Sequence, residues 1–315
     1  MNQPNIPVID LEDYWSSDQT RIDRFVKTLG DALVDLGFFA IRNHGVDQDL
    51  IKKCYKLNET FFSLPEATKK KYEDDSLKGQ RGYISYGKEK AKDASTPDLK
   101  EFWHVGRKLP EGHPLNEVYP KNIWPSEVPE FKESFESLYA QLDKCSKSIL
   151  EACALYLDLP KDRFSKIATL GNTILRMIHY PPVPNDAHPS AIRAAAHEDI
   201  NLVTLLCEST SSGLELLQRD GTWRPVHALE GHIIGDAGDM LQNITNGYFK
   251  STTHRVVNPD NSRERRFSMP FFIHPESEAD LSPLNECLEV TGGEKKYPDI
   301  TAGDYLQQRL KEIGF

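Results

Sequence analysis

The first half of the chain shows the spacing of amphipathic helices. Apolar residues recur at three- and four-residue intervals from Ile22 to Leu36, and Gly37 follows as a helix-ending glycine. A second helix is expected from about Asp47 to Ser63, because the next proline disfavours helical backbone just before it. The longest apolar stripe predicts a third helix, whose buried face contains Phe131, Phe135, Leu138, Leu142, Cys145, Ile149, Cys153 and Tyr156.

The second half changes to short runs typical of β-strands. These runs, separated by turn residues, are Thr173–Tyr180, Leu202–Cys207, Leu214–Gln218, Trp223–His227, His232–Gly235, His254–Val257 and Phe267–Ile273. Regular short strands of this kind indicate an antiparallel sandwich or barrel. A last helix is expected from about Ala302 to Ile313, and Thr301 can cap it.

No repeat or linker divides these patterns, so we expect one domain over residues 1–315. Residues from about 1 to 160 are expected to support a β core at about 170–280, followed by a helix at about 300–315. The stretch from about Ser76 to Trp124 has weak periodicity and many glycines and prolines. Long irregular segments in compact domains are often binding loops, and we expect this one to lie over a site.

Composition narrows the classes of protein that the chain can belong to. Its net charge of -10 argues against a nucleic-acid surface, which needs clustered Lys and Arg. The five cysteines form no C-x-x-C pair, which is typical of a reduced intracellular protein. The N-terminus shows no signal peptide, and no apolar run reaches the ~20 residues that span a bilayer. We therefore expect a cytoplasmic protein that binds neither nucleic acid nor membrane.

The candidate chemistry begins with the H-x-D pair His197 and Asp199. In an extended segment, residues two positions apart point to the same face, so an imidazole and a carboxylate converge there. A third candidate ligand, His254, lies in a later β-type run. Two imidazoles and one carboxylate leave open positions on a metal ion, which is the arrangement of Fe(II) oxygenases.

A second pair with the same two-residue spacing follows His254 by twelve residues. Arg266 and Ser268 would share one face of a strand. A guanidinium and a hydroxyl together suit a carboxylate, because they supply parallel N–H donors and one O–H donor. This pair is a plausible clamp for a dicarboxylate bound to the metal.

These motifs, in this order, resemble the isopenicillin N synthase-like class of Fe(II)/2-oxoglutarate oxygenases. The N-terminal IPVIDL, the stretch GFFAIRNHGV and the segments FFSLP and LRMIHYPP are also similar to that family. The resemblance covers nearly the whole chain and implies a mainly β fold with flanking helices, built on a double-stranded β-helix (jelly-roll) core. It says little about the substrate.

The resemblance also implies roles for particular residues. His197, Asp199 and His254 would bind Fe(II), while Arg266 and Ser268, helped by Tyr180, would hold 2-oxoglutarate. With O2, the enzyme would couple oxidative decarboxylation of 2-oxoglutarate to hydroxylation, desaturation or cyclisation of a small molecule. Ile178 and His179 replace the Asn and Tyr of many plant members, which argues against the plant substrate classes. Arg176 shares the face of Tyr180, where a structural ion pair is at least as good an explanation as a role in binding.

A substrate site is expected at Arg81 and Tyr83, in the irregular segment. The string Gly79-Gln80-Arg81-Gly82-Tyr83 partly matches an R-x-G-Y stretch by which isopenicillin N synthase binds a substrate carboxylate. An arginine fork suits a carboxylate, so we predict a small-molecule substrate that carries one. The competing interpretation is a loop arginine without a ligand.

Three other functions remain open from the sequence. In a 2-oxoglutarate-independent Fe(II) oxidase of the isopenicillin N synthase type, Arg266 and Ser268 would bind the substrate itself. A zinc hydrolase also uses two histidines and a carboxylate, but the helical H-E-x-x-H spacing is missing. A metal-free binding module would leave buried His and Asp side chains in need of other partners.

Overall fold

The computed structural model describes residues 6–89, 96–184, 187–188, 191–227, 229–258 and 263–313. Its strands are β1 (Val8–Asp10), β2 (Phe38–Arg42), β3 (Gly82–Ile84), β4 (Glu101–Gly106), β5 (Ile174–Tyr180), β6 (Ala194–His197), β7 (Val203–Cys207), β8 (Leu214–Leu217), β9 (Trp223–Pro225), β10 (Ile233–Ala237), β11 (His254–Val256) and β12 (Arg266–Ile273). They form an eight-stranded sheet of order β1-β2-β10-β7-β12-β5-β4-β3 and a four-stranded sheet of order β6-β11-β8-β9. All pairings are antiparallel except that of β1 with β2.

The helices flank these sheets. They are α1 (Leu11–Trp15), α2 (Gln19–Asp35), α3 (Gln48–Phe62), α4 (Glu66–Lys69), α5 (Phe131–Tyr156), α6 (Arg163–Ala168), α7 (Asp239–Ile244), α8 (Asn285–Val290) and α9 (Ala302–Ile313). The predicted apolar stripe of α5 packs against α2, α3, β7 and β12, and most of its members are fully buried. The expected sheet-rich fold with flanking helices and a jelly-roll core is confirmed.

The chain turns from α2 into β2 at Gly37. Its φ of 75° is a left-handed conformation that favours glycine, and an added Cβ would lie 2.4 Å from the Lys250 carbonyl oxygen. The turn places β2 between β1 and β10, one strand in from the edge of the large sheet. Strands from the first 160 residues therefore complete the same sheet as strands from the later β region.

The segment expected to be irregular contains two strands of the large sheet. β3 pairs with β4, and β4 pairs with β5. Every residue of both strands is buried, so neither shows the polar–apolar alternation that identifies a half-exposed strand. The rest of the segment, as far as it is described, lies in turns, 3-10 helices and irregular backbone.

The structure also describes the cysteines and the length and apolar character of the helices. The five cysteines are free and buried. Among the helices that the structure describes, none combines the length and apolar character needed to cross a bilayer.

Candidate active site

Two neighbouring strands of the small sheet bring the candidate ligands together. His197 ends β6, His254 begins β11, and the two residues are direct partners in the ladder. Asp199 follows β6 by two residues, with its Oδ1 3.8 Å from Nε2 of each histidine. The three potential ligand atoms all lie within 4.8 Å of one another. The structure therefore gathers the three residues that the sequence singled out.

Each ligand is oriented by a hydrogen bond on its far side. The Nδ1 atoms of His197 and His254 lie 2.7 and 3.1 Å from the carbonyl oxygens of Ala195 and Thr252. Because a carbonyl only accepts, these nitrogens carry the protons, and each Nε2 keeps a free lone pair. Thr204 donates its hydroxyl to Asp199 Oδ2, which leaves Oδ1 for a metal. Such a donor set fits a divalent transition metal.

Electrostatics keep the site in its metal-binding form. Burial, together with repulsion from His254, lowers the pKa of His197 below its usual value. His197 is therefore a neutral imidazole at neutral pH, the form that binds metals. The ring of Phe38 meets the His254 ring edge-on, with 5.5 Å between centroids, and packs against its side.

The predicted carboxylate clamp lies on β12 of the large sheet. Arg266 and Ser268 are buried and alternate with residues of the opposite face. Tyr180 of β5 is the ladder partner of Arg266, and the guanidinium carbon lies 5.0 Å from the tyrosine ring centroid. Arg266 Nε donates to the Ser211 carbonyl at 3.2 Å, whereas its Nη1 has no partner in the described part of the chain. A buried cationic nitrogen without an acceptor fits an anion that completes the site.

A cavity of about 280 Å³ opens beside the metal-ligand cluster. His197 and Asp199 form part of its wall, and the clamp residues of β12 do not. The rest of the wall includes Gln80, Glu89, Asp98, Lys100, His104, Asn172, Ile174, Arg176, Phe272, His274, Leu306, Arg309 and Leu310. The cavity is thus separate from the carboxylate clamp and of a size for a small molecule.

Several charged groups of this wall are paired with each other. Lys100 contacts Glu89 at 2.7 Å and Asp98 at 2.8 Å. Glu89 also pairs with Arg176 at 3.1 Å, and the Arg176 Nε donates to His104 Nε2 at 2.6 Å. The neighbouring positive charges hold the pKa of the Glu89 carboxyl well below its usual range, although burial opposes them.

The residues expected to contact the substrate are buried away from this cavity. Arg81 is 1% exposed, donates to Asn172 Oδ1 at 2.8 Å and lies against Gly106. Burial lowers the pKa of Arg81 to about 10. Tyr83 donates its hydroxyl to Glu101 within the aromatic core. Neither side chain lines the cavity, although Gln80 and Asn172 beside Arg81 do.

Sequence reasoning missed other residues of the site. Asp98 Oδ1 accepts a hydrogen bond from the Ala195 amide at 2.9 Å, on the strand that carries His197. Arg309 of α9 lies 2.6 Å from Asp239, and both line the cavity. Their partners are 97 and 70 positions away in sequence, so no local pattern could have identified them.

The family models and relatives that this chain matches agree with this site geometry. Residues 6–127 match the family model described as non-haem dioxygenase in morphine synthesis N-terminal, and residues 171–275 match that of the 2OG-Fe(II) oxygenase superfamily. A curated relative from Metarhizium rileyi, the 2-oxoglutarate-Fe(II) type oxidoreductase ppzD, is 30% identical over 97% of this chain and 90% of its own length.

Solved structures show the same similarity. A 2OG-Fe(II) oxygenase family protein from Caulobacter crescentus is 40% identical, with a TM-score of 0.87 over 98% of this chain and 99% of the other. A Neurospora crassa protein, solved in complex with alpha-KG (2-oxoglutarate) and thymine, is 27% identical. Its TM-score is 0.85 over 97% of this chain and 96% of its own.

Proposed function

The chain belongs to the 2OG-Fe(II) oxygenase superfamily, and on this premise we propose that His197, Asp199 and His254 bind the iron. The protein is a non-haem Fe(II) 2-oxoglutarate-dependent dioxygenase, which uses 2-oxoglutarate and O2 as co-substrates. One observation carries the ligand assignment: three ligand atoms lie within 4.8 Å of one another, and hydrogen bonds occupy the other side of each group.

The same findings decide among the alternatives left by the sequence. The curated relative is named as a 2-oxoglutarate enzyme, and the Neurospora structure holds alpha-KG. These similarities support dependence on 2-oxoglutarate over a 2-oxoglutarate-independent Fe(II) oxidase. They also argue against a zinc hydrolase and a metal-free binding module.

We propose that Arg266, Ser268 and Tyr180 hold the distal carboxylate of 2-oxoglutarate. The support is the buried guanidinium of Arg266, whose Nη1 lacks an acceptor, next to the hydroxyl-bearing Ser268 on the same strand face. A charged hydrogen bond there contributes about 1.5–3 kcal/mol. Tyr180 packs under the guanidinium and limits the positions it can take.

The iron and 2-oxoglutarate, when bound, supply oxidative decarboxylation to succinate and CO2, and with it the oxidation of a C–H bond. The chain's own residues position and isolate that chemistry. Backbone carbonyls fix the two imidazoles, Thr204 fixes the carboxylate, and the buried faces of the two sheets exclude water.

We place the small-molecule substrate in the 280 Å³ cavity, because the wall of this cavity includes His197 and Asp199 but none of the clamp residues. Arg176 is the cation of its wall best placed for an acceptor group of the substrate. Its Nε and Nη1 are used by His104 and Glu89, and its Nη2 has no hydrogen bond in the described part of the chain. The reaction is hydroxylation, desaturation or cyclisation.

The substrate roles of Arg81 and Tyr83 stay predictions. Their polar groups are satisfied inside the protein, so a substrate carboxylate would have to displace the Arg81–Asn172 hydrogen bond. Arg176 needs no such rearrangement, and we propose it as the partner if the substrate carries a carboxylate. Kinetics of Arg81→Gln and Arg176→Gln on one substrate distinguish the two.

The function is tested by loading Fe(II) anaerobically and screening a metabolite library for succinate release. We expect one Fe(II) per wild-type chain, a visible charge-transfer band on adding 2-oxoglutarate, and succinate formation stimulated by one substrate class. Asp199→Ala should lose all three, whereas Asp220→Ala, in an exposed turn, should keep them. Full iron binding by Asp199→Ala would refute the ligand assignment.

A further inference from the structure

Unpartnered polar atoms are concentrated at one end of β12. Among the described residues, twelve buried side-chain nitrogen or oxygen atoms have no hydrogen-bond partner. Five of the twelve belong to Arg193, Ser211, Asn258 and Arg266. Leaving such an atom unsatisfied is costly in free energy, and more so for a charged group. A cluster of this kind marks a place that a bound ligand completes.

Arg193 contributes the largest share of these atoms. It immediately precedes β6 and is fully buried, at 0% exposure. Its Nη2 donates to the backbone carbonyl of Glu264, two residues before Arg266. Its Nε and Nη1 have no partner in the part of the chain that the structure describes. The guanidinium therefore lies at the start of β12 with two donor nitrogens unused.

Both arginines lie near the start of β12. The guanidinium of Arg266 covers the Tyr180 ring, and the Arg193 guanidinium is held by the backbone carbonyl two residues before Arg266. Burial, followed by repulsion from Arg266, lowers the pKa of Arg193. Two buried guanidiniums side by side are costly in free energy unless an anion offsets their charge.

We propose that Arg193 supplies a second guanidinium, beside Arg266, to the distal carboxylate of 2-oxoglutarate. A carboxylate has about four acceptor positions. Only one of the Arg193 nitrogens Nε and Nη1 can face a given carboxylate, because they point in different directions and Nη2 between them binds the Glu264 carbonyl. That nitrogen, Nη1 of Arg266 and the hydroxyl of buried Ser268 are three donors, which fit within this number. This inference rests on the proposed clamp and adds a residue that precedes the first metal ligand by four positions.

The test compares two 2-oxo acids on Mn(II)-loaded enzyme by calorimetry. 2-Oxopentanoate has a methyl group where 2-oxoglutarate has its distal carboxylate. Arg193→Met should weaken 2-oxoglutarate binding at least ~tenfold, because a hydrogen bond to a charged group is lost. It should change 2-oxopentanoate binding by less than about twofold, the usual limit for independent sites.

Two further variants keep the test decisive. Arg193→Lys retains the charge and should give a smaller loss that is still confined to 2-oxoglutarate, even if Arg193→Met does not fold. Arg107→Met removes a partly buried arginine that pairs with Asp143 elsewhere, and this variant should bind both ligands like the wild type.

An equal loss for both ligands, or an unchanged affinity for 2-oxoglutarate, would overturn the assignment of Arg193. The proposed clamp fails separately, if Arg266→Leu also leaves 2-oxoglutarate affinity unchanged.

Discussion

His197 and His254 each use one ring nitrogen to bind a backbone carbonyl, so the other faces the metal position as a lone pair. Asp199 divides its oxygens in the same way, since Oδ2 accepts from Thr204. The groups behind the ligands thus set their orientation before any metal binds. Second-sphere partners of this kind typically change metal affinity by about 10–100-fold when removed.

Thr204 allows this contribution to be measured alone. Thr204→Val keeps the shape of the buried side chain and removes the hydroxyl that holds Asp199 Oδ2. We expect Fe(II) affinity to fall about tenfold or more in anaerobic titrations, with the fold retained. Thr60→Val, on an exposed face of α3, serves as the control. Wild-type affinity in Thr204→Val would show that Asp199 needs no such support.

His274 should make stability depend on pH. Burial lowers the pKa of His274 to about 4, whereas in the unfolded chain it is about 6.5. The unfolded state therefore takes up the proton first, and stability is lost as pH falls from about 6.5 towards 4. Replacing His274 with Gln should remove up to about 3 kcal/mol of that loss, at ~1.36 kcal/mol per pKa unit.

Urea unfolding of the apo protein at several pH values measures the effect. The difference between wild type and His274→Gln should be constant above pH 7 and should shrink, or change sign, below pH 6. A difference that is the same at pH 7.5 and pH 5 would contradict the neutral, buried state of His274.

What the sequence revealed about single residues depended on spacing. His197 and Asp199 are two positions apart, as are Arg266 and Ser268, so the period of a strand was enough to pair them. Arg193 and Asp98 form hydrogen bonds with backbone groups that are 71 and 97 positions away in sequence. Such long-range contacts form only in the folded chain, so no local sequence pattern identifies either residue.

Among the secondary-structure elements of the proposed metal site, β6 has the least support from neighbouring strands. It is an edge strand of the small sheet, so one side of its backbone lacks a neighbouring strand. Asp98 supplies a partner for the Ala195 amide at 2.9 Å, and Leu99 donates its amide to the Ile192 carbonyl at 3.1 Å. The Ala195 carbonyl in turn accepts from His197. The segment before β4 therefore braces the strand that carries the first ligand.

Removing this brace should weaken metal binding through His197. We expect Asp98→Ala to lower Co(II) affinity about tenfold, while Asp74→Ala, which removes an exposed cap, leaves it unchanged. The Asp98→Ala effect should disappear when His197 is already Ala, because interacting residues are not additive. An undiminished effect in the His197→Ala background would assign Asp98 a role unrelated to that ligand.

Pattern predicted some elements better than others. Seven of the eight strands after Pro160 alternate or are bounded by turns, and α5 has an unbroken stripe, so these were predicted within a few residues. β6 was not among the predicted runs, and only an extended segment was expected around His197. β3 and β4 are buried on both faces and show no period. α9 was predicted as a helix, but its position at the cavity wall depends on the distant Arg309–Asp239 ion pair.

At the scale of the whole molecule, the proposed ligands divide between two sheets. The imidazoles come from β6 and β11 of the small sheet, whereas the proposed 2-oxoglutarate clamp lies on β12 of the large sheet. A 2-oxoglutarate molecule that chelates the metal and reaches the clamp must therefore connect the two sheets. Metal and co-substrate should stabilise the fold together more than either does alone.

This coupling gives a prediction for thermal stability. A ligand that binds only the folded state stabilises it by about 2.7 kcal/mol at a hundred times its Kd. We expect Mn(II) alone to raise the Tm and 2-oxoglutarate alone to raise it little, because chelation supplies part of the binding. The Tm shift with both ligands present should exceed the sum of the two separate shifts. Arg266→Leu should keep the Tm shift caused by Mn(II), since the three proposed metal ligands are intact. It should lose the further shift caused by 2-oxoglutarate. Equal stabilisation by 2-oxoglutarate with and without Mn(II) would mean that the two bind independently, and that the sheets are not joined through the metal.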